Sequence, residues 1–440
     1  MSKIEKKDFQ LEFDNKSKGH FSLKLLPLAL TLTLSCGMAF AGDDSIGFHG
    51  YMRGGAGGSS GVGPQSCYGL GGNTMKYRLG NECDSYFEGG PTWDFNKPGD
   101  DGVVFTGTLW AAEFSPTSSF GGGTLSLAKA YVEGKNLDFL GGGVVWVGQR
   151  YYYRPDIHMI DLQYINLNGT GGGVDDILAG PGKFSYAILK DNDNASTMNS
   201  AGVLTATTAA VRQNFIYKGL PVNPGGKLDL IGTLITGQGV NKNNGYNITL
   251  LHNQDAFGGG NTIGVQHGVG PGTGVSGPCC DRIGASGTTA ADSGVTRTRI
   301  FDHLWIQPTE KFSAEFIVLS QQDKGDASAG TPGSSTWTSF GVRPAYAVAR
   351  HVKLQAELGT DNVTSPTGGP SQQLTKLTLA PTITLDSSYW SRPELRLYIT
   401  HAVWNDAAKA AVNPPPATGL NPQGNSTAGT SVGVQMEVWW

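Results

Sequence analysis

The sequence predicts an all-β chain, and among all-β folds a transmembrane antiparallel β-barrel. Three observations carry this. Apolar and polar residues alternate over short stretches, the pattern of a strand with two unlike faces. Only 38% of the 440 residues are hydrophobic, against 65 glycines and 10% aromatics. That is lean for a soluble core, but enough for a wall that needs only every second residue apolar. The chain also ends in an amphipathic segment closed by an aromatic pair, VGVQMEVWW.

Taken in order, the first 41 residues stand apart. Lys6, Lys7, Lys16, Lys18 and Lys24 precede an apolar stretch, Leu25 to Ala41, that closes on Ala39-Phe40-Ala41. A basic region, an apolar run and a small-x-small ending predict a secretory signal peptide over 1–41, leaving 42–440 as the barrel chain. A membrane anchor is the alternative, but the run is short, contains Pro27 and has no stop-transfer charges after it. Beyond Ala41 no stretch is long and apolar enough for a membrane helix.

Export implies an oxidising compartment, where Cys67 and Cys83 are expected to close a loop as a disulfide. Closing about 16 residues is worth roughly 3 kcal/mol in a chain-entropy account. Cys36 falls in the signal segment. Cys279 and Cys280 are adjacent in a Gly/Pro-rich stretch without matching histidines, which argues against zinc, and no metal or other cofactor is expected.

The cleanest alternation comes late. Leu354, Ala356 and Leu358 oppose Lys353, Gln355 and Glu357; Leu377, Leu379, Ile383 and Leu385 oppose Lys376, Thr378, Thr382 and Thr384; Leu395, Leu397 and Ile399 oppose Arg392, Glu394, Arg396 and Tyr398. Rougher runs occur at 124–133, 184–190, 227–236, 246–251 and 312–319. Stretches rich in Gly, Asn, Ser and Pro at 54–74, 166–182, 255–293, 321–336 and 404–431 read as loops, and long loops alternating with short turns suit an outer-membrane barrel. A soluble sandwich or a secreted β-solenoid would alternate in the same way. The final segment discriminates: Val432, Val434, Met436, Val438 and Trp440 form one face and Gly433, Gln435, Glu437 and Trp439 the other. An amphipathic last strand ending in an aromatic resembles the signal read by the barrel assembly machinery, and such rings suit the lipid interface.

Several strings, FHGYMR at 48–53, KYRLGNEC at 76–83, VEGKNL at 132–137, RPDIHMID at 154–161, YWSRP at 389–393 and the MEVWW ending, resemble the maltoporin (sugar porin) family. The resemblance implies a homotrimer of barrels of about 18 antiparallel strands in the outer-membrane lipid, each with an inward-folded loop 3. It also implies an aromatic slide beside a polar track. Rings stack on the apolar faces of a sugar while charged groups exchange hydrogen bonds with its hydroxyls.

The slide positions match at Tyr51, Tyr86, Trp390 and Trp439, with Phe120 where the family places a ring contributed by the neighbouring subunit. Parity agrees: Tyr51 shares a face with His49 and Arg53, Tyr86 with Asp84 and Glu88, and Trp390 with Arg392, Glu394 and Arg396. Rings on polar faces are expected in the lumen; membrane-belt rings stand on apolar faces, as Trp440 does. The polar track matches at Arg53, Arg78, Glu88, Arg154, Asp156 and Asp161. The alternative for the track is that a porin interior is polar in any case.

The sequence departs from the family in three places. One family arginine falls on Ala128, beside Lys129. The constriction tyrosine falls on Gln163. Another slide aromatic falls near Gly260, where Phe257 is the ring at hand.

The formal charge is −4 without a basic stripe, so nucleic acid is not an expected partner. No nucleophile elbow or zinc-helix motif appears, Gly180-Pro181-Gly182-Lys183 lacks the spacing of a phosphate loop, and His49, His158, His303 and His401 are scattered. The expected function is therefore not catalytic. It is facilitated diffusion of maltose- or maltodextrin-like oligosaccharides across the outer membrane. The alternatives are a less selective porin on the same scaffold, and an enzyme or adhesin built on a barrel.

Overall fold

Eighteen strands close into one antiparallel barrel in the computed structural model, which describes residues 46–61, 63–71, 75–191, 201, 209–238, 240–277, 282–325, 333–364, 368–412 and 424–440. The expected signal segment and the Cys279-Cys280 pair lie outside these residues. In chain order the strands are β1 (Ile46–Ser59), β2 (Ser85–Asp94), β3 (Val104–Ser115), β4 (Thr124–Leu137), β5 (Gly143–Arg150), β6 (Gly169–Ala179), β7 (Gly182–Asp191), β8 (Ala210–Asn223) and β9 (Gly226–Gly237). They continue as β10 (Gly245–Ala256), β11 (Gly259–Val269), β12 (Thr296–Ile306), β13 (Phe312–Lys324), β14 (Ser335–Ala349), β15 (Val352–Val363), β16 (Gln372–Thr384), β17 (Glu394–Trp404) and β18 (Ala428–Trp439). Each pairs with its neighbours in sequence, and β1 pairs with β18 from Tyr51↔Trp439 to Ser59↔Ser431. Closure leaves no strand edge exposed, as a wall in lipid requires.

The wall is inverted relative to a soluble protein. On β15–β17, Leu354, Leu358, Leu377, Leu379, Ile383, Leu395, Leu397 and Ile399 are exposed on the outside. Lys353, Glu357, Lys376, Glu394 and Arg396 are buried within. Their charges pair: Lys376 with Glu357 at 2.7 Å, Lys353 with Glu394 at 2.8 Å, and Arg343 with Glu357. Near the end with the shorter connections, Phe48, Phe95, Phe139, Phe257, Phe312, Tyr346 and Trp440 are exposed, forming the aromatic girdle of a membrane interface.

Along β7–β13 the inner face is different. Ala187, Leu189, Ile216, Ile231, Leu251, Phe301, Ile317 and Leu319 are buried there in one cluster with Ile157, Met159, Ile160, Leu162, Ile165 and Leu167. The second group belongs to the long connection 151–168. Its centre is a small hairpin, Asp156–Ile157 paired with Leu162–Gln163, turned by Asp161 in the left-handed region at φ 54°. At the tip, Met159 N donates to Glu315 Oε1 at 3.3 Å, and Arg343 Nη2 donates to Met159 O at 3.4 Å. These partners lie on β13 and β14, across the barrel from β5 and β6. The connection therefore spans the interior with its apolar side on β7–β13.

The connection 60–84 also turns inward. Tyr77 lies over the inner faces of Gly341 and Gly359, where an added Cβ would come within 2.0 Å and 2.1 Å of its ring. The expected disulfide between Cys67 and Cys83 is present, with Cα atoms 5.9 Å apart.

Three sequence expectations need correction. Residues 54–59, 169–179 and 259–269, expected as parts of loops, are strand. In β6, an added Cβ on Gly171 would lie 2.0 Å from Ile188 O, so glycine there lets two strand backbones approach closely and is not marking a loop. The run expected as strand from 390 begins at Glu394, because 385–393 is a turn; the parity argument for Trp390 therefore does not apply. Phe257, the ring nearest the expected slide gap, sits in a turn at 73% exposure and is outside the lumen.

Candidate functional site

The space left by the inward connections is a cavity of about 750 Å³. Its wall contains Tyr51, Tyr86, Trp390 and Trp439, together with Arg53, Arg78, Glu88, Arg154, Asp156, Asp161 and Gln163. Strands β1, β2 and β18 supply the first rings by ordinary alternation. The same strands carry Arg53 and Glu88, and the connection 60–84 carries Arg78; the connection 151–168 supplies Arg154, Asp156, Asp161 and Gln163, because its apolar side is spent on β7–β13 and its polar side faces the space.

The rings form a continuous row. Tyr51 lies 6.0 Å from Tyr86 and stacks on Trp439 at 6.5 Å. His158 sits edge-on to Trp439 at 5.9 Å and to Trp390 at 5.7 Å. Trp390 owes its place to the turn 385–393 folding under the barrel, where Tyr389 N donates to Gln307 Oε1 at 3.1 Å. Tyr389 packs against Trp390 at 5.0 Å.

Sequence reasoning missed two rings. Trp305 is the cross-strand partner of Gly260 and meets Trp390 edge-on at 6.0 Å. An added Cβ on Gly260 would lie 3.2 Å from its Nε1. A ring from the neighbouring strand therefore covers the position where Gly260 has none, and its parity with Phe301 and His303 was the available signal. At the other end Tyr151 approaches Tyr86, hydroxyl to hydroxyl at 3.4 Å, and Arg154 lies over its face at 3.8 Å.

Facing the rings is a lattice of paired charges. Arg53 meets Glu82 at 2.8 Å, Asp84 at 2.6 Å and Asp161 at 3.2 Å. Arg78 meets Glu82 at 2.9 Å and Glu437 at 3.1 Å, and Arg154 meets Glu88 at 2.7 Å. Burial works against charge on Asp161, but the Arg78 and Arg53 guanidiniums outweigh it and hold the carboxyl below the usual range. Burial likewise opposes a charged His158, and the Glu437 carboxylate at 3.2 Å outweighs it, raising the imidazole above its ordinary value. Such groups are pre-set to exchange hydrogen bonds with a polar ligand without being charged anew.

At Ala128 the register slips: Trp110 pairs with Lys129 and Ala111 with Leu127. The bulge turns Lys129 inward, 3.2 Å above the Trp110 ring and 5.1 Å from Tyr151. Gln163 accepts from Asn166 at 2.8 Å and from Arg282, a cavity residue with no sequence signal. Asp156 is the more open of the acids and lies 3.9 Å from His158. Phe120 stands apart from all of these, exposed on the outer surface over Gly54, where an added Cβ would come within 2.7 Å of its ring.

The model of the LamB porin family matches residues 46–440. Among solved structures, an anion-selective porin from Comamonas acidovorans is similar at 10% identity and TM-score 0.46, covering 90% of this chain and 100% of that one. OmpT, an outer membrane protein of Vibrio cholerae, is similar at 12% identity and TM-score 0.44, covering 91% of this chain and 100% of that one. The family match spans all eighteen strands and every cavity residue named above, and the chain belongs to the LamB porin (maltoporin) family of outer-membrane β-barrels.

Proposed function

We propose that the cavity is a saccharide channel, with facilitated diffusion of maltodextrin-like oligosaccharides as its function and the rings and charge lattice as its binding surface. One observation carries the reading: a row of rings from Tyr151 through Tyr86, Tyr51, Trp439, His158 and Trp390 to Trp305, beside Arg53, Glu88, Arg154, Asp156 and Asp161. A sugar ring offers an apolar face and a hydroxyl rim, and this surface offers a partner to each. Several weak sites in series let a ligand step onward without being trapped. A porin-family barrel of this kind fits a channel better than an enzyme.

Phe120 supports a homotrimer. An exposed ring over a glycine-backed outer wall is suited to reach a neighbouring barrel, which would add it to the far end of the row. One observation favours a less selective channel instead: Gln163 puts an amide where the family has a constriction ring. Titrating single-channel current with neutral oligosaccharides of increasing length separates the two. Block that strengthens with length supports the saccharide channel, and open current without block supports the less selective one.

A further inference from the structure

We propose that Arg282 is an anion-binding residue of this channel, so that a saccharide of the same size carrying a negatively charged substituent, a carboxylate or a phosphate, is bound more tightly than its neutral counterpart. The proposal rests on the saccharide-channel reading and sharpens its substrate class.

The cations of the cavity are not alike. Arg53, Arg78 and Arg154 each have a carboxylate within 3 Å, and Lys76 lies 3.9 Å from Asp161. Among the described residues Arg282 has no ion pair. Its Nη1 donates to the amide oxygen of Gln163, a neutral acceptor that leaves the charge uncompensated. Asp161 and Asp156 attract it from farther off, while Arg154 and Arg53 repel it. Burial therefore leaves its pKa below the ordinary arginine value, whereas burial of Arg78 is outweighed by Glu82 and that group is held above its own.

The backbone that carries Arg282 is also held in place. Asn166 N donates to Ile283 O at 2.9 Å, tying the backbone beside Arg282 to the connection 151–168. Arg212 Nη1 donates to Gly284 O at 2.7 Å. Gly284 has φ +100°, and an added Cβ there would lie 2.7 Å from Leu167, so the chain is seated closely. A partly buried guanidinium facing a passage gains most from a planar anion that accepts its remaining N–H groups.

Block of the full-length protein in planar bilayers by trigalacturonate and by neutral maltotriose tests this, with glucose 6-phosphate against glucose as the phosphate arm. Wild type should be blocked by the charged member of at least one pair at several-fold lower concentration than by its neutral counterpart, and the arm that shows this names the anion. Arg282→Gln should bring the charged sugar to the neutral one's level, and Arg282→Lys, which keeps the charge, should retain most of the preference. Block by neutral sugars with no charged preference in wild type, or a preference that survives Arg282→Gln, overturns the proposal and leaves the channel reading standing. Absence of block by any of the four sugars overturns both.

Discussion

Strands β15–β17 and strands β7–β13 belong to the same closed sheet and both face lipid, yet their inner faces do opposite jobs. The first set presents charges that pair along the wall, as Lys353 does with Glu394 and Lys376 with Glu357. The second presents Leu189, Ile231, Leu251 and Ile317, covered by Ile157, Met159 and Ile160 of the inward connection. The lumen is thus divided: one half is filled by an apolar contact that fixes the connection 151–168, and in the other the charges of β15–β17 lie buried beneath the connection 60–84, where Lys376 Nζ donates to Leu79 O at 2.9 Å, so that the open polar space lies between the connections and β1, β2 and β18. The connection is positioned by the hydrophobic effect on one side, which leaves its polar side facing the cavity.

The largest effect is expected at the seam that closes the barrel, between β1 and β18. Trp440 and Gly50 exchange backbone hydrogen bonds at 3.2 Å, and Trp440 stacks on Phe48 at 6.1 Å. Deleting Trp439 and Trp440 should abolish the assembled barrel, read as loss of the heat-modifiable band on gels; normal barrels would show that closure does not need them.

Next comes the contact that divides the lumen. Ile157→Asp places a charge where the side chain is 0% exposed, and an unpaired buried charge costs several kcal/mol, on the order of 3–5. The connection should leave the wall and single-channel conductance should rise. Unchanged conductance would mean that the apolar half does not hold the connection in place.

The matching test in the polar half is Glu437→Ala. It strips a shared carboxylate from Arg78, Arg392 and Arg396, which lie at 3.1, 3.0 and 2.6 Å. Arg78 keeps Glu82 and the other two keep Glu394, but the buried cluster is left one negative charge short, which should cost about 3–5 kcal/mol, measured as a lower denaturant midpoint for unfolding. A midpoint equal to wild type would show that the charge lattice is held by the fold and contributes little to it.

The same division explains what could be read from the sequence. Alternation was clean at 353–359 and 376–385 because those inner faces are polar, and rough at 184–190, 227–236 and 312–319 because those inner faces mix apolar residues such as Leu189, Ile231 and Ile317 with polar ones such as Ser185, Thr233 and Glu315. Glycine misled most. In Gly169–Ala179 it permits close strand packing, which sequence composition cannot distinguish from a loop. Tyr51, Tyr86 and Trp439 were accessible through strand parity and resemblance. Trp390 was identified through resemblance alone, since it stands in a turn. Trp305 was missed because the ring that covers Gly260 comes from the next strand, a cross-strand relation invisible along the chain. Arg282 was missed because nothing in a Gly-rich stretch says which side chain a folded connection will present.

The smallest expected effect bears most directly on the central claim that saccharides pass over the aromatic row. Stacking on flat ligands is worth roughly 1–3 kcal/mol per ring, and hydrated sugars belong near or below the low end. Since about 1.4 kcal/mol is tenfold in affinity, Trp390→Ala should weaken oligosaccharide block of the single-channel current several-fold. Conductance of small ions should stay nearly constant, because ions do not use ring faces. Block by every tested oligosaccharide unchanged in Trp390→Ala would contradict the account and leave the row of rings without a role in transport.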